Sequence, residues 1–218
     1  MVDKKADIMF EYFERLFPNP KCELNFSTPF EMLVAVVLSV QCTDVRVNMV
    51  TKELFKKYKT PKDFANMKQE DLENIIRSTG FFRNKARNII KMSQQLLENY
   101  NGEIPHDARE MENLAGVGRK VANVVASIAF GAKELGVDTH IFRVLNRIGL
   151  VNANTPEKTE LQFVQKYPDR VNHDTHYRIL LFGRYKCTAK NPKCAECELQ
   201  SICEYYKKEI KNNQSIKK

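Results

Sequence analysis

Residues 114–122 read Leu-Ala-Gly-Val-Gly-Arg-Lys-Val-Ala, two glycines one residue apart between apolar flanks, with an Arg-Lys pair directly behind them. Gly116 and Gly118 let the chain bend sharply and let its backbone approach a ligand. The turn predicts two helices joined by only a few residues. The second helix starts at Arg119, and its first N–H groups and positive dipole end can hold a phosphate. Gly-x-Gly is also what the end of one helix followed by another looks like. Arg119 and Lys120 tip the reading toward phosphate contact.

Outward from this hairpin the chain reads as helical throughout. Glycine and proline number eight each in 218 residues, and no run alternates as a strand would. Apolar residues fall at helical spacing over 7–17. Thr28-Pro29-Phe30-Glu31 combines a cap, a first-turn proline and a glutamate placed for a capping box. The helix it starts, to about Val40, is apolar on nearly every face and so belongs at the centre of a domain. Further helices are predicted over 44–58, from Thr60-Pro61-Lys62-Asp63, and over 69–78 to a stop at Gly80. Others follow over 84–100, 110–115, 119–130, 139–148, 155–165 and 175–186, with a last short helix after a cysteine-rich loop. The fold class is all-α.

Composition is that of a soluble globular protein: 43% hydrophobic and 28% charged. The opening residues lack a basic-then-apolar secretion pattern, and Met32–Val40 is too short to span a bilayer, so an intracellular, cytoplasmic protein without membrane attachment is expected. The net charge of +8 suits a polyanionic partner, with basic residues recurring at Arg83, Lys85, Arg87, Lys91, Arg119, Lys120, Lys186, Lys190 and Lys193. The lysines beyond Glu204 read as a solvated or disordered tail.

Cys187, Cys194, Cys197 and Cys203 follow Cys-x6-Cys-x2-Cys-x5-Cys. Four thiolates so close in sequence suit tetrahedral zinc or a [4Fe–4S] cluster. Zinc sites usually bring two short knuckles and this chain has one, Cys194/Cys197, which favours iron–sulfur. Two disulfides are the alternative, and an intracellular setting argues against them. Cys22 and Cys42 lack ligand spacing and read as small buried hydrophobes.

Four segments together resemble the endonuclease III family of helix-hairpin-helix DNA glycosylases. They are Leu38-Ser39-Val40-Gln41-Cys42-Thr43-Asp44, the hairpin 114–122, Val137-Asp138-Thr139-His140-Ile141-Phe142-Arg143-Val144, and Gly183-Arg184-Tyr185 leading into the cysteine loop. They run in family order from about residue 29 to 203.

The resemblance implies two helical domains. A six-helix, barrel-like domain with the hairpin would span 25–131, and residues 1–24 with 132–218 would hold a [4Fe–4S] loop. Lys120 and Asp138 would face each other across the cleft between them. It implies a monomeric, bifunctional glycosylase/AP lyase acting on double-stranded DNA that carries oxidised pyrimidines or abasic sites. Lys120 would be the amine nucleophile and Asp138 the essential carboxylate. An amine attacks only in its neutral form, which a helix N-terminus, the adjacent Arg119 and desolvation favour and a nearby carboxylate opposes. Gln41 and Phe81 would fill the gap left by an extruded base, Phe81 exposed and Phe82 buried or the reverse. Gly116, Gly118, Arg119, His140, Lys190 and Lys193 would touch the DNA, and the four cysteines would ligate the cluster.

Two positions depart from the family pattern. Ala115 stands where proline is common in the hairpin, and Cys42 where a small residue such as alanine is. Adenine-excising relatives carry a catalytic carboxylate on the early apolar helix, and Met32–Val40 has no acidic residue. A non-catalytic DNA-binding scaffold and a zinc-binding repair accessory protein are the rival readings.

Overall fold

A computed structural model of the chain describes residues 3–211. Among these residues every regular element is helical, and they form two compact units. One is the continuous segment Cys22–Glu134, and the other is made from the residues before and after it.

Helix α1 (Lys4–Leu16) opens the chain and belongs to the discontinuous unit. Asp3 caps it, accepting from the N–H groups of Lys5 and Ala6, so the helix starts three residues earlier than apolar spacing alone marks.

The continuous unit is built around α2 (Pro29–Ser39), in which every residue from Phe30 to Leu38 is buried. Thr28 caps α2 through its hydroxyl, and Pro29 sits in the first turn, where its missing N–H costs nothing. Glu31 reaches back one residue further than a capping box would, accepting from the Ser27 N–H at 2.6 Å. Around α2 lie α3 (Asp44–Lys57), α4 (Pro61–Ala65), α5 (Gln69–Ile76), α6 (Phe82–Asn99), α7 (Ala108–Met111) and α8 (Arg119–Phe130), with α3, α6 and α8 packed directly on it. A helix apolar all round can only be stable so enclosed. Cys22 and Cys42 are half-buried against this core, less enclosed than their sequence surroundings suggest.

In the discontinuous unit α9 (Thr139–Ile148) packs between α10 (Pro156–Lys166) and α11 (His173–Tyr185), and α1 lies on α11. The aromatic contacts of α1 close the unit: Phe13 meets Phe182 at 4.4 Å between ring centroids, and Phe10 meets Tyr167 edge-on at 6.1 Å. α11 begins at His173, not Thr175, because Asn172 caps it by accepting from the Thr175 N–H. After α11 come two 3₁₀ turns, Cys194–Glu196 and Glu198–Ser201, and a π-helical turn, Tyr206–Lys211. Lys207 lies near Glu204 at 3.6 Å, Lys208 is exposed beside it, and the expected tail beyond residue 211 lies outside the described residues. No described helix is long and apolar enough to cross a membrane.

Candidate nucleic-acid interface and cluster loop

The hairpin is anchored by what it buries. Leu114, Val117 and Val121 are within the core, so the backbone between them has one path over the surface. Gly116 takes φ +79°, and a Cβ there would stand 2.8 Å from Cβ of Asn88 on α6, so both conformation and close approach demand glycine. Gly118 differs from its sequence reading. Its φ of −88° is ordinary and a Cβ would meet nothing within 4 Å. What Gly118 does is leave α8 without a side-chain cap, so the first N–H groups of that helix receive no intramolecular acceptor from the capping position.

Arg119 and Lys120 stand exposed in that uncapped first turn. The desolvation expected of Lys120 is therefore not supplied by the protein alone. The turn is also held from behind: the Gln95 side chain accepts from the Ala115 N–H at 2.7 Å and donates to the Asn113 carbonyl at 3.1 Å. Gln95 was not legible as a functional position. It lies one turn from the end of the amphipathic helix α6, where glutamine is ordinary.

Two loops of the same unit carry the expected gap-filling residues. Gln41 is exposed at φ +54°, just past the end of α2, and Phe81 is 63% exposed at φ +48°, just before α6. Two non-glycine residues in the left-handed region are uncommon and costly, and such strain gathers at functional sites. Phe82 is the inward member of its pair. It packs on the core, and the guanidinium groups of Arg77 and Arg83 come within 5.8 and 5.0 Å of its ring centroid.

In the other unit Asp138 is half-buried and caps α9: Oδ1 accepts from the N–H groups of His140 at 2.9 Å and Ile141 at 2.8 Å. These bonds fix the carboxylate's direction and leave Oδ2 outside the cap. The Arg143 Nη2 group donates to His140 Nδ1 at 3.1 Å, which puts the neutral ring's proton on Nε2. Arg143 also donates to the carbonyls of Cys187 (2.9 Å) and Gly183 (2.8 Å). Arg147, one turn on, donates to the carbonyls of Thr188 (2.8 Å) and Ala189 (3.1 Å), approaches Cys187 Sγ at 3.6 Å, and covers the Tyr205 ring. Sequence reasoning passed over both arginines. The signal was an i,i+4 pair of like charges on one helix face, which is unfavourable unless acceptors gather opposite it.

The four cysteines line one cavity with Ile148, Phe182, Leu199 and Tyr205. No disulfide joins them. Burial, and then the proximity of the other sulfurs, raises the thiols of Cys194 and Cys203, and burial pushes Cys197 up to about 11. Four thiolates in an apolar cavity thus need cationic charge among them. Among the described residues no three cysteine, histidine or acidic side chains converge where a single ion could sit. Sulfurs spread around one cavity fit a cluster with several metal atoms better than a zinc ion.

Lys190 and Lys193 are exposed on the first cysteine loop, which is closed by the Thr188 hydroxyl on the carbonyls of Lys190 and Asn191 and by the Lys193 N–H on the Lys186 carbonyl.

Comparison with known proteins places these features in one family. Residues 34–169 match the model of the HhH-GPD superfamily base excision DNA repair proteins, and residues 187–203 match the iron–sulfur binding domain of endonuclease III. Endonuclease III of Bacillus subtilis is 46% identical over 201 residues, covering 92% of each chain. That of Escherichia coli K12 is 44% identical over 191 residues, 88% of this chain and 90% of its own. A solved non-covalent endonuclease III–DNA complex superposes with a TM-score of 0.88 at 43% identity over the whole of both chains. A trapped endonuclease III–DNA covalent intermediate gives 0.88 at 45% identity, covering 95% of this chain and 99% of that one.

Proposed function

Because the chain belongs to the endonuclease III family of the HhH-GPD superfamily, we propose that Lys120 and Asp138 carry its chemistry and that its substrates are oxidised pyrimidines and abasic sites in double-stranded DNA. The protein is a DNA glycosylase and AP lyase of base excision repair. The observation that carries the assignment within the site is the bare N-terminus of α8, opened by Gly118, with Lys120 exposed in its first turn.

The steps follow from the groups available. The α8 N–H groups and Arg119 hold a phosphate of the damaged strand. The Lys120 amine, freed of its extra proton, attacks C1′ of the extruded nucleotide, and the C1′–base bond breaks with its electron pair leaving on the base. Bound DNA supplies the desolvation that the protein alone does not. The Asp138 carboxylate, held by the α9 cap, stabilises positive charge at the sugar and receives the amine's proton. The sugar ring opens to an imine between Lys120 and C1′. Loss of a C2′ proton then expels the 3′ phosphate and cuts the strand.

The protein holds a [4Fe–4S] cluster, for which the four cysteines are the ligands present. When bound, the cluster supplies metal–sulfur bonds that neutralise the buried thiolates and fix the loop presenting Lys190 and Lys193. We further propose that the enzyme acts as a monomer in the intracellular compartment that holds DNA, and that His140 Nε2, Gln41 and Phe81 contact the duplex.

Borohydride trapping on an abasic duplex tests the central assignment. The wild type should form a stable covalent adduct and Lys120→Gln should not, while Lys120→Gln keeps affinity for the duplex within a few-fold. Equal trapping by both would remove Lys120 from its role. Asp138→Asn should lower base excision by at least about a hundredfold.

A further inference from the structure

Lys85 is the one lysine among the described residues that is buried, 5% exposed, and it sits in the first turn of α6. That is a poor place for a cation with respect to its own helix, whose N-terminal end is already positive. Its ammonium lies instead at the C-terminal ends of two other elements. It donates to the Leu38 carbonyl in the last turn of α2 at 2.7 Å, and to the carbonyl of Thr79, which ends a 3₁₀ turn, at 2.8 Å. Both acceptors are carbonyls that helix termini leave without a helical donor, and both are satisfied by one charged group. Three residues beyond Leu38 is Gln41, and two beyond Thr79 is Phe81.

From this juxtaposition we infer that Lys85 is a positioning residue, whose ammonium ties together the two loops presenting Gln41 and Phe81 and holds them ready to enter the base stack. The inference rests on the functional reading above, in which those two side chains fill the gap an extruded base leaves. Each loop carries a left-handed non-glycine residue, a conformation that persists only where the surroundings impose it. Neither loop has a ladder of backbone hydrogen bonds to impose it: Cys42 N to the Ser39 carbonyl closes the first, and the second passes through Gly80 at φ +69°. Burial lowers the Lys85 ammonium from its usual value, opposed by the nearby Cys42. The two carbonyl bonds therefore answer a real desolvation cost.

The role predicts a loss confined to substrates that need the gap filled. Lys85→Met keeps the buried stem and removes every donor. Single-turnover excision of thymine glycol would be measured opposite adenine in a full duplex and opposite a one-nucleotide gap, alongside Kd for undamaged duplex and the melting temperature. On the full duplex we expect a fall of about tenfold or more, the scale of two charge-assisted hydrogen bonds. On the gapped substrate, where no orphaned base has to be propped, the loss should stay within about threefold, and Kd for undamaged duplex should change no more than that. Equal losses on both substrates, or none on either, would overturn the role. If Lys85→Met does not fold, Lys85→Gln, which removes the charge and keeps a neutral amide donor group, decides the question through the same ratio of paired to gapped rates. Wild-type protein that excises neither substrate would defeat the functional reading itself, not the part given to Lys85.

Discussion

Lys120 and Asp138, 18 residues apart in the sequence (138 − 120), show how little a residue says alone. By physical reading alone Lys120 is a phosphate contact, and in the structure Asp138 is a helix cap. The chemistry proposed for them is legible only through the segments around them. Arg147 shows the reverse: an ordinary helical arginine in the sequence, it gathers two loop carbonyls and a cysteine sulfur in the structure. Arg147→Ala should leave the isolated α9 helix intact and loosen the loop that holds Cys187 and presents Lys190. The expected result is cluster loss several-fold faster on dilution in air, followed as bleaching of the broad visible absorption, with weaker affinity for duplex DNA. Arg147→Lys should repair little of it, because a point charge cannot satisfy two carbonyls in the fork geometry of a guanidinium.

Elements were more legible than residues. Caps decided it: Thr28, Thr43, Thr60 and Thr155 all begin helices as their side chains predict. Starts set by aspartate or asparagine next to charged residues, Asp3 and Asn172, were missed because polar caps there look like helix-face residues. The hairpin adds a feature no local pattern shows. Ala115 keeps an N–H that proline lacks, and Gln95 accepts it. Here a side-chain clasp does the work that a fixed φ does elsewhere. Gln95→Leu should cost about 1 kcal/mol of hairpin preorganisation, seen as a several-fold rise in Kd for an abasic duplex. Ala115→Pro alone should not help, since it leaves Gln95 Oε1 without its donor. Combined with Gln95→Leu it should recover affinity, so the double-mutant cycle has a clear sign: the two changes together cost less than their sum. Strict additivity would show that the clasp is idle.

At the scale of the chain, the two ends of the sequence share a unit, and Asp3 is one of the contacts that bring them together. Its Oδ1 caps α1, while its Oδ2 accepts from the Tyr167 hydroxyl at 2.6 Å and pairs with the Lys166 ammonium at 3.0 Å, 164 and 163 positions along. A contact of that separation has no periodicity to betray it, and the sequence suggested only that α1 must bury its apolar face somewhere. The Tyr167 hydroxyl, then Lys166 and the cap, lower Asp3 to about 2 from 3.8. A carboxyl lowered on folding stabilises the folded chain fully above its unfolded value and ceases to do so as the pH falls through its folded one. The group is partly open to water, so its contribution is discounted to about 1 kcal/mol at neutral pH. Asp3→Asn should therefore melt a few degrees below wild type at pH 7. The gap between the two should narrow from pH 4 toward pH 2, because there the wild-type carboxyl is itself taking up its proton. Cluster loss in acid lowers both curves alike and leaves that difference readable. A gap that stays constant over this range would mean that the bonds to Tyr167 and Lys166 do not hold the chain's two ends together.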